Sequence, residues 1–225
     1  MKEEKPMVFV VDDDASVLKS LERLLRSVGY DVKTFTSAIE FLDFHHRDMP
    51  SCLVLDVKLP GLDGLELQRQ LADREDTVPI VFITGYGTVP MSVRAMKAGA
   101  VDFLQKPFLE ADFLDVISRT VASNRQARLE QEKRRRLGEL LRTLTPREYQ
   151  VFGLVVTGML NKQIAFDLGT AEKTIKVHRA RVMAKLGARS LPDLVRFAEK
   201  LGIRSQGAWP PTLDQSPIPL SVQFR

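Results

Sequence analysis

Carboxylates stand at the ends of two apolar runs of this 225-residue chain, where buried strands would stop. The run MVFVV is followed by Asp12, Asp13 and Asp14, and the run CLVLD ends on Asp56. Neighbouring like charges repel one another and each carboxylate resists removal from water, so a compensating partner is expected. Mg²⁺ suits this inventory because it takes a few carboxylates, keeps waters and shares its remaining positions with a phosphate.

Two further apolar runs end on a hydroxyl and on an amine, since IVFIT ends on Thr84 and DFLQK ends on Lys106. Apolar, β-rich runs alternate with segments of helical periodicity, which predicts a five-stranded parallel sheet covered by helices on both faces. In such sheets ligands bind beyond the carboxyl ends of the strands, so we expect these side chains to meet at one rim. The predicted strands are 7–11, 31–35, 52–56, 80–84 and 102–106.

Three chemistries could use such a rim. A metal-assisted hydrolase is possible, but no His, Ser or Cys is placed as its base or nucleophile. A phosphatase with an aspartyl intermediate would normally want a second carboxylate two residues after Asp56, where the chain has Lys58. The third is transfer of a phosphoryl group to an aspartate that keeps it, with Lys106 neutralising charge and Thr84 donating a hydrogen bond to a phosphoryl oxygen.

The segments VVDDDASV, LVLDVKLPGLDGLEL and VFITGYGTVPMSVRAMKAGAVDFLQKPF resemble the receiver domain of two-component response regulators, over roughly residues 5–124. The resemblance implies a flavodoxin-like α/β fold and makes Asp56 the phosphoacceptor. It also implies that Mg²⁺ is held by Asp13, Asp56 and the main-chain carbonyl of Lys58, with Asp12 acting mainly through water.

The same resemblance gives roles to residues at the end of the fifth strand. It implies a cis peptide bond between Lys106 and Pro107. It also implies that Phe103 is an aromatic side chain that turns inward when Thr84 moves towards the phosphoryl group, although an ordinary core position is an equal alternative for Phe103.

Local patterns predict how the nearby helices begin. Asp14 is expected to cap the helix that starts at Ala15, and Asp63 is expected to shape the PGLDG turn. At 100° per residue the first helix should bury one face, with Leu18 and Leu25 flanking it. The predicted buried face comprises Val17, Leu21, Leu24 and Val28.

The two halves of the chain differ in charge. Residues 1–124 carry 14 Lys and Arg against 20 Asp and Glu, a net charge of −6, whereas residues 125–225 carry 19 against 9, a net charge of +10. A basic half is a candidate for binding nucleic acid or another anionic surface. Between the domains, a charged stretch without Pro or Gly before Gly138 predicts that the helix beginning near Leu109 runs on as a solvated linker.

Composition excludes other classes of protein. No apolar run approaches the ~20 residues that span a bilayer, and MKEEKPMVFVV lacks the cleavage site of a signal peptide. The only cysteine, Cys52, lies in an apolar run and is expected to be a buried, inert thiol in a reducing cytoplasm.

Four capped helices are predicted after the linker. TPRE predicts a capping box in which Thr145 is the N-cap and Glu148 reaches back to it. The next two helices, separated by Gly169, form a helix-turn-helix candidate. The helices that follow the capping box are expected at 162–168, at 170–186 and from the SLPD cap to Gly202.

The helix predicted at 170–186 carries the candidate nucleic-acid face. Helical periodicity predicts a buried stripe of Ile175, Val182 and Leu186. The opposite face combines two cations with small residues and can lie in the major groove, while cations beside it can reach phosphates. The groove-facing set is Lys173, Lys176, Val177, Ala180 and Ala184, and the flanking set is Thr174, Arg181 and Lys185.

The segment LTPREYQVFGLVVTGMLNKQIAFDLGTAEKTIKVHRARVMAKLGARS resembles the LuxR-type DNA-binding domain, over roughly residues 141–203. The resemblance makes Lys176, Val177 and Ala180 the base-facing residues. With the receiver, the chain is similar to FixJ-like regulators.

These observations predict a cytoplasmic transcription factor that is not an enzyme. A histidine kinase would phosphorylate Asp56, the protein would dimerise, and the dimer would bind duplex DNA and act on RNA polymerase. A magnesium phosphatase and a receiver that works unphosphorylated remain alternatives. The predicted divisions are a receiver at 1–124, a helical linker at 125–140, a four-helix DNA-binding domain at 141–203 and a Pro-rich tail at 204–225, in which Trp209 and Phe224 could dock on a domain.

Overall fold

The computed structural model describes residues 5–44, 49–85 and 88–203. The chain forms two compact units, which divide between Glu130 and Gln131. The predicted tail, with Trp209 and Phe224, lies outside the described residues.

The first unit contains a five-stranded sheet in which all neighbouring strands are parallel, in the order β2-β1-β3-β4-β5. This order belongs to the flavodoxin-like doubly wound sheets, as the sequence predicted. The register places Asp56 opposite Ile83 and Thr84 opposite Gln105, so the strands end at a common edge. The strands are β1 (Met7–Val11), β2 (Asp31–Phe35), β3 (Ser51–Asp56), β4 (Ile80–Thr84) and β5 (Asp102–Gln105).

Helices cover both faces of the sheet, and alternate strand residues enter two separate cores. Phe9 and Leu55 face the core formed with α2, α3 and α4, whereas Val10 and Val54 face the core formed with α1 and α5. This two-sided burial explains why the central strands are continuously apolar. The helices of this unit are α1 (Ala15–Ser27), α2 (Ala38–Asp43), α3 (Gly64–Asp73), α4 (Val89–Lys97) and the first part of α5 (Glu110–Arg142).

The predicted buried face of α1 was partly wrong. Leu18, Leu21 and Leu25 are the buried residues, and Val28 is 50% exposed. The prediction was wrong in phase, because Leu18 and Leu25, expected as flanks, are buried, while Val17 and Leu24, expected in the buried face, are only partly buried. The apolar residues of α1 occupy a broad arc, so periodicity alone does not show which part of it faces the sheet. The thiol of Cys52 is fully buried, as predicted, and burial raises its pKa.

A single helix, α5, spans Glu110–Arg142, so the predicted continuation through the linker and past Gly138 is confirmed. Its later turns carry exposed ion pairs, such as those of Arg135 with Glu132 and Glu139. Pairs of this kind suit a solvated helix surface. The predicted domain limits at 124 and 140 stay predictions.

The second unit contains the four predicted helices, and its core includes the stripe Ile175, Val182 and Leu186. Helix α8 begins at Glu172, two residues after the predicted start, because the N–H of Thr170 still bonds to Ala165 and closes the preceding turn. The helices are α6 (Pro146–Val156), α7 (Asn161–Asp167), α8 (Glu172–Leu186) and α9 (Leu191–Lys200). Within the described ranges, no helix combines the length and apolar character that crossing a membrane requires.

Candidate functional site

The predicted rim exists at the carboxyl ends of the strands. The Lys106 ammonium donates hydrogen bonds to Asp12 Oδ2 at 2.5 Å and to Asp56 Oδ1 at 3.0 Å. Both carboxylates are buried, although Asp12 follows β1 and Asp56 ends β3, a different strand of the sheet. One cation therefore compensates two acids, which leaves an excess of negative charge.

Burial has opposite consequences for the two kinds of charge at the rim. Burial raises the pKa of Asp56, although the hydrogen bond from Lys106 and the N–H of Lys58 favour the ionised form. For Lys106, burial alone would lower the pKa, but hydrogen bonds to Asp12 and Asp56 raise it above its usual value. The site thus holds a permanent cation beside an acid that lacks full compensation.

The three consecutive aspartates have different environments. Asp12 is 1% exposed and its Oδ1 accepts the N–H of Asp14 at 3.0 Å. Asp14 caps α1, as predicted, because its carboxylate accepts both the N–H and the hydroxyl of Ser16; these bonds lower the pKa of Asp14. Asp13 is exposed to solvent.

The predicted Mg²⁺ site has few carboxylates close together. Within the described ranges, no group of three His, Cys, Asp or Glu side chains is arranged to hold a metal ion. Mg²⁺ needs only one or two carboxylates when carbonyl, water and phosphate oxygens complete its shell. Asp56 Oδ2 accepts the N–H of Lys58 at 2.7 Å, so a main-chain segment lies beside the two paired carboxylates. The residues therefore fit a magnesium ion that shares its shell with a phosphoryl group.

The two predicted switch residues lie next to this rim. Thr84 is 1% exposed, and its carbonyl accepts the N–H of Lys106 at 2.7 Å. Phe103 is half-buried, with its ring centroid 6.3 Å from that of Phe82. The peptide bond between Lys106 and Pro107 is cis, as the resemblance implied. The predicted movements of Thr84 and Phe103 stay predictions.

A glycine that sequence reasoning missed packs against the main chain of Asp56. A Cβ atom on Gly64 would lie 2.3 Å from the carbonyl oxygen of Asp56, so no other residue fits there without displacing the main chain. Asp63, predicted to shape the turn, is the N-cap of α3 and accepts the N–H of Glu66. A glycine immediately after a capping aspartate was the available signal.

In the second unit, α8 presents the predicted DNA-facing residues on its exposed side. Lys176 forms an exposed ion pair with Glu172 at 3.0 Å, which a competing phosphate or base can replace at small cost. Arg179 donates to Asn161 and ties α8 to the start of α7. The exposed predicted residues are Lys173, Thr174, Lys176, Val177, Ala180, Arg181 and Ala184.

Lys185 differs from the other flanking residues. Its ammonium donates to Glu148 Oε2 at 2.6 Å and to the carbonyl of Thr143 at 2.9 Å. Glu148 is 2% exposed, and the bonds from Lys185 and from the N–H of Thr145 lower its pKa to about 2. The capping box of Thr145 and Glu148 is thereby confirmed and also bonded to α8. We propose that Lys185 is a structural cation in place of the predicted phosphate contact.

The two protein families that match this chain cover different parts of it, one in each unit. The family described as "Response regulator receiver domain" matches residues 8–118, and the family described as "Bacterial regulatory proteins, luxR family" matches residues 142–198. Nodulation protein W of Bradyrhizobium diazoefficiens is 52% identical over 199 residues, 88% of either chain.

Transcriptional regulatory protein FixJ of Rhizobium meliloti is 44% identical over 191 residues, which is 85% of this chain and 94% of that protein. The solved structure of response regulator StyR covers 87% of this chain and 99% of its own, at 51% identity and a TM-score of 0.81.

Proposed function

Because the chain belongs to the response regulators that join a receiver domain to a LuxR-type DNA-binding domain, we propose that phosphorylation of Asp56 controls its binding to DNA. The observation that carries the proposal is the Lys106 ammonium shared between the buried carboxylates of Asp12 and Asp56. A receiver domain takes its phosphoryl group from a histidine kinase, and a LuxR-type domain binds duplex DNA.

In the proposed transfer, a carboxylate oxygen of Asp56 attacks the phosphorus of a phosphohistidine on the kinase. The new P–O bond forms as the P–N bond breaks, and the histidine nitrogen leaves with the bonding pair. Asp13, Asp56 and the carbonyl of Lys58 would hold Mg²⁺, with Asp12 acting through water, and the ion would neutralise charge on the phosphoryl oxygens. Lys106 turns from Asp56 to a phosphoryl oxygen and keeps Asp12 as its partner.

The phosphorylated receiver is proposed to dimerise through α4, β5 and α5. Thr84 donates its hydroxyl proton to a phosphoryl oxygen, and Phe103 fills the space that this movement leaves. Support comes from an apolar row on α4 that is partly exposed to solvent. This α4 row comprises Val89, Val93 and Met96, which are 77%, 45% and 45% exposed.

Dimerisation would bring two copies of α8 to two half-sites of one operator. Lys176, Val177 and Ala180 face the bases, with Lys173 on the same groove-facing side, while Thr174 and Arg181 lie within reach of phosphates. Bound dimers act on RNA polymerase in the cytoplasm. No enzymatic turnover is proposed, because the aspartate keeps its phosphoryl group until water removes it.

The test uses the full-length protein with magnesium and a small phosphodonor. Intact mass should show one phosphoryl adduct on the wild type and on Asp63→Asn, a control that changes a nearby exposed aspartate outside the rim. Asp56→Asn should show none. Equal labelling of Asp56→Asn and wild type would overturn the assignment.

A further inference from the structure

A buried glutamine connects the helix below the phosphoacceptor to α4. Gln68 on α3 is 3% exposed, and its Nε2 donates to the carbonyl of Ala95 in α4 at 3.1 Å. The orientation of the amide is fixed by its partner, since a carbonyl oxygen only accepts hydrogen bonds. The two residues are 27 positions apart, so this contact joins separate helices and is not a local cap.

The first residue of α3 rests on the main chain of the phosphoacceptor. Gly64 leaves no space for a Cβ atom beneath the carbonyl of Asp56, and its N–H donates to the carbonyl of Val57 at 2.9 Å. Gln68 follows about one helical turn later. Any displacement of the main chain at Asp56 therefore acts directly on the turn of α3 that carries Gln68.

The other end of the contact is the last turn of α4. The carbonyl of Ala95 also accepts the N–H of Ala100 at 3.0 Å, and Gly99 has a φ of 95° that closes the helix. Gln68 thus binds a carbonyl whose position is already defined by the end of the helix. Met96, in the α4 row, is the next residue along the chain.

Stability alone does not favour glutamine at this position. The Oε1 atom of Gln68 is buried and has no hydrogen-bond partner among the described residues. An unsatisfied buried acceptor costs free energy, and an apolar side chain of similar volume avoids that cost. The glutamine is therefore better explained by the specific contact that it makes with α4.

We infer that Gln68 is a positioning residue that transmits phosphorylation of Asp56 through α3 to the last turn of α4. It sets the position of the α4 row, which the proposed function makes part of the dimer interface, and the inference rests on that proposal for its consequence. The route is separate from the one through Thr84 and Phe103, because it leaves the rim through the main chain below Asp56.

The test compares Gln68→Met with Gln70→Met, a glutamine on the same helix whose side chain bonds only within α3, to Glu66. All proteins are full-length and phosphorylated to equal extent by intact mass. Analytical ultracentrifugation gives the ratio of dimer dissociation constants without and with phosphorylation. Gln68→Met should reduce this ratio by roughly three- to thirtyfold, while Gln70→Met leaves it unchanged. The midpoint temperature of thermal unfolding should be unchanged or slightly higher in Gln68→Met.

A second measurement separates this inference from the proposed function. Hydrogen exchange in the last turn of α4 should respond to phosphorylation in the wild type and in Gln70→Met, but not in Gln68→Met. If the wild type shows this response without dimerising, the proposed interface fails and the role of Gln68 stands. An unchanged dimer ratio and an unchanged exchange response in Gln68→Met would overturn the inference, as would the absence of any α4 response in the wild type.

Discussion

The two units each contain a lysine bonded to a buried carboxylate, but the two lysines serve different ends. Lys106 is shared by two acids, Asp12 and Asp56, whereas Lys185 serves Glu148 and one main-chain carbonyl. Both acids are largely inaccessible to solvent, since Asp56 is 5% exposed and Glu148 is 2% exposed. The difference lies in the number of acids for each cation.

The number of acids for each cation decides whether a site can bind a further cation. Burial raises the pKa of Asp56, while the bonds of Glu148 to Lys185 and Thr145 lower its pKa to about 2. An excess of carboxylate attracts a further cation and permits the lysine to change partner. The Glu148 carboxylate, whose Oε2 accepts hydrogen bonds from the N–H of Thr145 and from Lys185, holds α6 against α8.

The largest expected effect separates the two lysines by their response to magnesium. Removing the cation from a buried pair leaves an uncompensated charge, so Lys185→Met should lower the free energy of unfolding by about 3 kcal/mol. Lys106→Met should cost a similar amount, but millimolar Mg²⁺ should restore about 1–2 kcal/mol by binding beside Asp56 and offsetting the uncompensated charge of the rim. Thermal unfolding of each variant with and without Mg²⁺ measures the loss of unfolding free energy and its recovery by the metal.

Ca²⁺ and high monovalent salt serve as controls for screening, and Lys33→Met serves as a control lysine in the receiver because its ammonium lies over aromatic rings away from the rim. An equal response of Lys106→Met and Lys185→Met to Mg²⁺ would contradict the contrast between the two sites.

A smaller effect distinguishes Lys185 from the exposed cations of α8. Lys176→Ala should cost about 1–3 kcal/mol on the cognate operator and much less on random DNA, because this residue faces the bases. Arg181→Ala should weaken binding to both and reduce the salt slope by about 1, as for one lost phosphate contact. Fluorescence anisotropy over a range of salt concentrations measures both quantities.

Lys185→Met should leave the salt slope unchanged at temperatures where circular dichroism shows the variant to be folded. A slope reduced as in Arg181→Ala would return Lys185 to the phosphate-binding set. Unchanged operator preference in Lys176→Ala would show that the base-facing role is wrong.

The fold was predictable because its signals are local. The central strands β1, β3 and β4 are continuous apolar runs, capping side chains mark the starts of α6 and α9, and the stripe Ile175, Val182 and Leu186 follows from rotation alone. The buried face of α1 was misplaced because its apolar residues occupy a broad arc, and periodicity does not show which part of that arc faces the sheet. The rim followed from topology, since parallel strands bring their carboxyl ends to one edge.

The contacts that were missed join residues far apart in sequence. Lys185 reads as one more cation of a basic helix, and its partner Glu148 lies 37 residues away. Gln68 and Gly64 each contact a main-chain carbonyl. Every residue has such a carbonyl whatever its side chain, so the sequence does not show which one is contacted. Charge and periodicity predict which face a residue occupies, but they do not predict which single atom it contacts.

The smallest expected effect is the pH dependence of the pair in the second unit. The pKa of Glu148 is about 2 in the folded protein and about 4.3 when unfolded. Its contribution to stability is therefore fully present above about pH 5 and is lost as the pH falls towards 2. Protection of α6 amides against hydrogen exchange should drop on the order of tenfold between pH 5 and pH 3 through this group. Glu148→Gln should remove that part of the drop, whereas Glu139→Gln, which changes an exposed linker pair, should retain it. A drop of the same size in Glu148→Gln would show that other acids of the second unit cause it, and the contrast with Asp56 would then rest on magnesium alone.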